Sequence, residues 1–317
     1  MCPFCFYFCM QIMLKTDMEN KKSLVGAWVE AARPRTLPAS VSPVLLGCAL
    51  AYYDGAFDVV PAVLCLLVAL FAQIASNFAN DYFDFKKGAD REDRLGPERA
   101  VAEGWITPKA MLTGTFVTLG LACAAGLLLV CFADWRLIGV GIAIAICVLA
   151  YSAGPFPLAY NGLGDVCVLL FYGIIPVCFT YYIQTLNFSL LSFLLSVALG
   201  LLSVNILIVN NYRDYEQDKA DRKRTTIVLF GRRAGRVFYV LNECMAFLLV
   251  LPLILDAPWW ILFLFGILFA LCFYTTRELF TLEGRALNRT LGHTARNVFL
   301  FASVLSLLFL YIGGVSN

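Results

Sequence analysis

The sequence predicts an all-α integral membrane protein of about nine transmembrane helices, and three observations predict it. Of its 317 residues, 61% are hydrophobic and 15% charged, with a mean hydropathy of +0.78. A water-soluble domain of this length cannot cover that much apolar surface. The apolar residues are gathered into runs of roughly 17–25 residues, the length that crosses a bilayer core as helix. The lysines and arginines fall between the runs in alternation, as a multi-pass chain obeying the positive-inside rule requires.

Read between polar interruptions, the spans are 37–53, 59–80, 111–132, 136–152, 165–184, 189–211, 237–255, 259–275 and 296–315. The first is short and contains Pro38 and Pro43, so a kink or tilt is expected there. With the amino terminus inside, the inward segments carry all of the 24 lysines and arginines except Arg136, which lies between spans 3 and 4. A missed or extra helix would scatter these charges over both sides. The odd number of spans puts the carboxyl terminus outside. The outward loops are short, such as Asp256-Ala257-Pro258, whereas the inward loops after spans 2 and 6 are long and polar. Long loops in a compact protein usually carry function. Function is therefore expected on the cytoplasmic face. The net charge of +2 is too small to attract nucleic acid.

Most of the 12 cysteines sit inside apolar runs, where cysteine behaves as a small hydrophobe. Cys2 and Cys5 have the spacing of a redox pair without the βαβ context that gives the motif meaning. Residues 1–17 lack the basic start and small-residue cleavage site of a signal peptide, and Met18 opens a more ordinary beginning. The chain divides into residues 1–30, an amino-terminal segment read as disordered or partly an over-extended start, and residues 31–317, the transmembrane domain.

Two segments bear chemistry. The first runs from Asn77 to Asp90, where span 2 ends; Asn80 and Asp84 are four apart and share a helix face, with Asn77 one turn earlier. The second runs from Asn210 to Asp221 as span 6 ends; Asp214 and Asp218 are again four apart, and Asp221 continues the face. Asn-x-x-x-Asp occurs at 80/84 and at 210/214, a separation of 130 residues for both pairs. This repetition suggests two four-helix halves plus a final helix. An isolated acidic loop is ordinarily a solvated run of charge pairs. Two copies on one face of the membrane, each at a helix exit, point to function. Asp81 and Glu216 lie off these faces and stay open between ligand and structural roles.

Carboxylates and amides suit a hard cation such as Mg²⁺, which bridges protein carboxylates to substrate phosphates. With a single histidine, His293, and cysteines confined to the spans, a soft-metal site is disfavoured. The candidate metal ligands are Asn80, Asp84, Asp90, Asp214, Asp218 and Asp221, enough for two Mg²⁺ around one diphosphate. Lys86, Lys87, Arg91, Lys223 and Arg224 would meet the remaining phosphate oxygens. Asn77, Tyr151 and Asn210 complete the candidate substrate-binding set, and Asn80, Asp84, Asp214 and Asp218 form the catalytic one.

These two segments resemble the paired aspartate-rich motifs of the UbiA superfamily of intramembrane prenyltransferases. Three flanking stretches resemble its 1,4-dihydroxy-2-naphthoate prenyltransferase branch in menaquinone synthesis: residues 32–39, residues 95–101, and above all residues 151–165, from Tyr151 through Gly154-Pro155-Phe156-Pro157 to Gly164-Asp165. The resemblance runs from about Ala31 to the last span. It implies that Asn80, Asp84 and Asp90 serve one metal and Asp214 and Asp218 the other. Lys223-Arg224-Thr225 matches the basic-Thr element that follows the second motif in bacterial members. Arg222 stands where a glycine is more usual, and the Asp84-to-Asp90 spacing exceeds the general pattern while suiting this branch. The implied reaction joins a polyprenyl chain from its diphosphate to dihydroxynaphthoate, with loss of CO₂ and diphosphate, giving demethylmenaquinone. The isoprenoid tail needs a long apolar channel, which helices provide from within the lipid.

Tyr82, Tyr151, Tyr160 and Tyr212 are ring-side or cation-facing groups, or else packing and interfacial anchors. Arg285, Arg289 and Arg296 suit an acceptor carboxylate or an anionic lipid equally. His293 reads as structural rather than as a base. Alternatives within the superfamily use 4-hydroxybenzoate or homogentisate as acceptor. A secondary transporter would instead place its ionisable residues near the bilayer midplane, where these spans carry almost none.

Overall fold

The computed structural model describes residues 22–88 and 94–316; Asp90, Arg91 and the Cys2/Cys5 pair lie outside the described residues. Among the described residues every regular element is helical. In chain order they are α1 (Leu24–Ala32), α2 (Leu37–Tyr53), α3 (Val59–Lys86), α4 (Pro108–Leu129), α5 (Leu137–Ala150) and α6 (Gly164–Leu169). A π-helical turn, Leu170–Ile174, joins α6 to α7 (Ile175–Thr185). The rest are α8 (Leu190–Arg213), α9 (Tyr215–Ala220), α10 (Thr226–Leu255), α11 (Trp259–Thr281) and α12 (Leu287–Ser316). Eight helical stretches among the described residues are long and apolar enough to cross a membrane, and α5, with 14 residues, is a shorter ninth. The chain is a multi-pass membrane protein.

Local sequence explains the helix starts. The side chains of Ser23, Asp58, Thr107, Ser189 and Thr225 each accept a backbone N–H of the first turn of α1, α3, α4, α8 and α10. Pro43 sits inside α2 without ending it. The departures from regular helix lie elsewhere. Pro176 has no N–H to donate, and the π turn sits directly ahead of it. Gly231 breaks α10 with φ 84° and ψ 162°, a backbone region that glycine alone enters readily.

Several helices outrun the predicted spans: α3 continues to Lys86, α11 to Thr281, and α10 and α12 begin at Thr226 and Leu287. These added turns are polar, so apolarity stops where the helix does not. The boundary drawn at residue 30 falls inside α1. Ala27 and Ala31 of that helix are buried in one cluster with Phe78 and Met111, so the packed unit begins at α1.

Helix α12 packs along α2, α8 and α11; α3 pairs with α4, and α8 with α10. Each motif helix thus pairs with the next long helix, as two related halves plus a closing helix require. The main core gathers Leu50, Leu199, Ala246, Phe265 and Phe301. The π turn lies so close to α8 that a Cβ on Gly173 would fall 2.5 Å from the Gly200 Cα. Phe116, Leu248, Phe269 and Phe273 stay exposed on the outside, where lipid is their solvent.

Candidate active site

One cavity of about 1340 Å³ takes in both acidic motifs. Asn77, Asn80 and Asp84 reach it from the last turns of α3, and Asn210, Asp214, Asp218 and Asp221 from the α8–α9 junction. Tyr151, Tyr160 and Lys223 also line it. Deeper in, its wall is apolar, with Val68, Leu119, Gly126, Ile142 and Ile183.

Each acid is matched to donors. Asp84 accepts the Tyr160 hydroxyl at 2.8 Å and Arg99 Nη2 at 3.1 Å. The Ser152 hydroxyl donates to Asn80 Oδ1, and Lys87 Nζ donates to the Ser152 carbonyl at 2.6 Å. Lys87 and Lys223 lie over the Tyr160 ring, 4.2 and 4.8 Å from its centre. Across the cavity, Arg213 grips Asp214 with two bonds of 2.7 and 2.6 Å, and donates to Asn210 and Asn288 at 2.8 and 2.6 Å. Its side chain is 1% exposed, so the charge is sealed in and depends on these partners. Gly96 passes over it; a Cβ there would meet Arg213 Nη2 at 2.8 Å. Lys223 pairs with Asp218 at 3.3 Å.

Burial pushes the Asp218 carboxyl up to about 6, with Lys223 opposing and Asp214 reinforcing the rise. Burial alone would lower Lys223, but the facing Asp84 and Asp218 carboxylates outweigh it and raise its pKa. Burial holds Lys87 below the usual lysine range, Asp84 working against that and Lys223 with it. The paired acids and bases thus leave a charged, partly dehydrated end on an otherwise oily cavity.

The cavity separates residues that the sequence grouped together. Lys86, Lys87 and Arg224 are exposed and outside its wall; Lys87 touches it only through Ser152 and Tyr160, and Arg224 takes part through its backbone N–H, which donates to the Tyr160 carbonyl at 2.9 Å. Asn77 lines the cavity, but its amide donates to the Ala32 carbonyl at 2.9 Å and so also ties α3 to the end of α1. Asp81 is structural: its carboxylate accepts the Ala100 and Val101 N–H groups at 3.1 and 3.3 Å and anchors the 94–107 loop. Glu216 is 70% exposed, 3.9 Å from Arg232. His293 bonds Glu278 at 2.8 Å, outside the cavity wall. Arg99, Arg213, Ser152 and Asn288 were not singled out from the sequence. Arg213 adjoins Asp214 and was in principle visible; Asn288 comes from α12 with no local signal.

The motif side chains at this end present carboxylate and amide oxygens, a set that fits a hard divalent cation. Among the described residues no three Asp, Glu, His or Cys side chains form a ready cage. Asn80, Asp84, Asp214 and Asp218 line opposite sides of one cavity instead, leaving room for a ligand that supplies its own oxygens.

Comparisons with known proteins agree with this picture. The family model described as the UbiA prenyltransferase family matches residues 40–301. The chain is 37% identical over 235 residues to a 1,4-dihydroxy-2-naphthoate octaprenyltransferase of Haemophilus influenzae, covering 72% of this chain and 76% of that one. It is also 37% identical over 229 residues to the enzyme of that name from Escherichia coli, covering 70% and 74%. Among solved structures, a UbiA homolog from Archaeoglobus fulgidus bound to GPP and Mg²⁺ superposes with a TM-score of 0.66 at 18% identity, covering 91% of this chain and 98% of that one. That likeness speaks for the fold. Fold, motif placement and sequence identity together lead to one conclusion: the chain belongs to the UbiA prenyltransferase family.

Proposed function

We propose that this protein transfers a polyprenyl chain from polyprenyl diphosphate to 1,4-dihydroxy-2-naphthoate, releasing diphosphate and CO₂ and giving demethylmenaquinol, the reduced form of demethylmenaquinone. The observation that carries the reading is one cavity with acids and bases at one end and an apolar remainder, in a chain 37% identical to naphthoate octaprenyltransferases. A prenyl diphosphate has that same division between a charged head and an oily tail.

Mg²⁺ held by Asn80 and Asp84 on one side and Asp214 and Asp218 on the other would neutralise the diphosphate and act as Lewis acid on the departing oxygen. We assign two ions, one to each motif, with Asp90 joining the first set and Asp221 the second. Lys223 and Lys87 supply positive charge beside the diphosphate, and Tyr160, held between them, orients Asp84. The apolar wall excludes water from the loosening allylic C–O bond, so the electron-rich ring carbon is the nucleophile at hand. The concentration of lysine and arginine around the motifs supports a cytoplasmic-facing site in a bacterial inner membrane. The packed unit from α1 onward forms the transferase domain in this reading.

Purified protein in detergent, given dihydroxynaphthoate, a polyprenyl diphosphate and Mg²⁺, is expected to yield prenylated naphthol and free diphosphate. Absence of both products, with a known naphthoate prenyltransferase active in parallel, refutes the reading.

A further inference from the structure

One acid in the cavity wall belongs to neither motif. Asp165 stands in the first turn of α6, after the 151–163 loop, and lines the cavity. Its Oδ2 accepts the hydroxyl of Thr226 from the start of α10. Its Oδ1 is sealed from water and has no hydrogen-bond partner. A shielded carboxylate oxygen is costly to leave without a donor, and such exceptions call for a reason.

The surroundings say where a donor can come from. A Cβ on the preceding Gly164 would lie 3.6 Å from the Tyr151 hydroxyl, so Tyr151 and the start of α6 share one stretch of wall. Ser152, next to Tyr151, bonds Asn80 of the first motif. The Asp165 wall therefore borders the space in front of the diphosphate end, without being part of it. Of the three chemical pieces the proposed reaction brings here, an alkenyl tail has no donor, and an ionised diphosphate offers acceptors. Only the hydroxylated aromatic ring brings O–H groups.

Resting on the prenyl-transfer reading, we propose that Asp165 receives the hydroxyl proton of the aromatic acceptor through Oδ1, with Thr226 fixing the carboxylate through Oδ2. The acceptor's O–H bond breaks and its proton moves to Asp165. The freed electron pair becomes the C=O of a dienone as the conjugated ring carbon bonds to the allylic carbon. The allylic C–O bond breaks, and its electrons leave with the diphosphate. Rearomatisation returns the proton from Asp165 to the oxygen. The carboxylate so freed takes the hydrogen of the attacked carbon as a proton and delivers it to the ring carbon that the departing CO₂ leaves. No outside oxidant or further base is needed.

The test uses the full-length protein with Asp165→Asn and Thr226→Val. General-base loss is expected to slow naphthoate prenylation by about 10²–10⁴-fold in Asp165→Asn. Mg²⁺-dependent binding of a non-ionising thio analogue of geranyl diphosphate stays within about threefold of wild type. An acceptor with a more acidic hydroxyl restores about tenfold of the lost rate in that variant, because it depends less on a base. Near-wild-type turnover in Asp165→Asn overturns the proposal, as does absence of rescue, or loss of analogue binding by a folded variant, which would move Asp165 to the diphosphate side. Thr226→Val keeps every charge and covers the case in which Asp165→Asn does not fold. It is expected to lower turnover about tenfold through lost orientation, and unchanged turnover overturns the proposal. A wild-type protein that binds the analogue but never prenylates the naphthoate overturns the underlying reading, and this inference with it.

Discussion

Asp84 and Asp214 are the matching acids of the two Asn-x-x-x-Asp segments, yet they are restrained in different ways. Asp84 lies within the continuous helix α3 and is held by Arg99 and Tyr160, which come from two separate loops 15 and 76 residues away. Asp214 sits where α8 ends and is held by the residue before it, Arg213, while Asn210 from one turn earlier braces the same guanidinium. The second motif thus needs little more than its own helix end to take shape. The first needs the 94–107 and 151–163 loops docked before its acid has a partner. Loop docking and charge placement are coupled on one side of the cavity and nearly independent on the other.

The comparison breaks if the two acids are unequal in the reaction. Asp84→Ala and Asp214→Ala are each expected to lower prenyl transfer at least about 10³-fold, since each removes charge stabilisation aimed at the same leaving group. Product formation in detergent measures it, and wild-type rates in either variant remove that motif from the centre. Arg213→Met comes next. It leaves Asp214 buried without its base, which costs on the order of 3–5 kcal/mol. A fall in the thermal unfolding midpoint is expected, whereas an unchanged midpoint means that the fold does not depend on this pair. Tyr160→Phe sharpens the contrast from the other side: the ring stays between its two lysines while Asp84 loses one charge-assisted bond, worth about 1.5–3 kcal/mol. Roughly tenfold slower turnover is expected, with a fall in the unfolding midpoint smaller than that of Arg213→Met. An equal loss in stability would show that the 151–163 loop depends on this bond.

The smallest effect concerns Arg222, which follows α9 with φ 56°. A left-handed backbone costs a side-chain-bearing residue of order 1 kcal/mol, and glycine relieves it. Arg222→Gly is expected to raise the unfolding midpoint by a few degrees; a lower midpoint would mean that the arginine side chain stabilises the turn by more than the strain costs.

Arg222 also shows what the sequence made legible. Its departure from the usual glycine was visible before any geometry, and the backbone there takes the conformation that glycine suits. The nine apolar passages were equally legible, because the length of an apolar run and the placement of charge are direct consequences of the lipid solvent. Asp81 and Asp84 are three apart and neighbours on α3, so periodicity hardly separates them; their fates differ because Asp81 takes backbone N–H groups while Asp84 takes side-chain donors. The partners of the acids were harder to read. Arg99, Tyr160 and Asn288 are chosen by how loops and α12 dock, and no local pattern encodes that. Arg213 was overlooked for a different reason: in a count of inward charges a buried guanidinium looks like any surface one. The overrun of α3, α10, α11 and α12 beyond their apolar spans has a related cause, because a helix lined by a cavity or a charged end keeps its hydrogen bonds after its side chains stop favouring lipid.

Helix α5 carries a further consequence. Its 14 residues rise only about 21 Å, well short of a hydrocarbon core of about 30 Å. In a bilayer of that thickness, so short a helix would set the 151–163 loop that follows it, bearing Ser152 and Tyr160, below the level that longer helices reach. The charged end of the cavity becomes a dent in the membrane surface, bringing water and ions down toward the acyl chains. A lipid-borne diphosphate can meet its acids there without lifting its tail out of the oil. The thickness of the surrounding bilayer, more than any single contact, then governs how easily head and tail are accommodated at once.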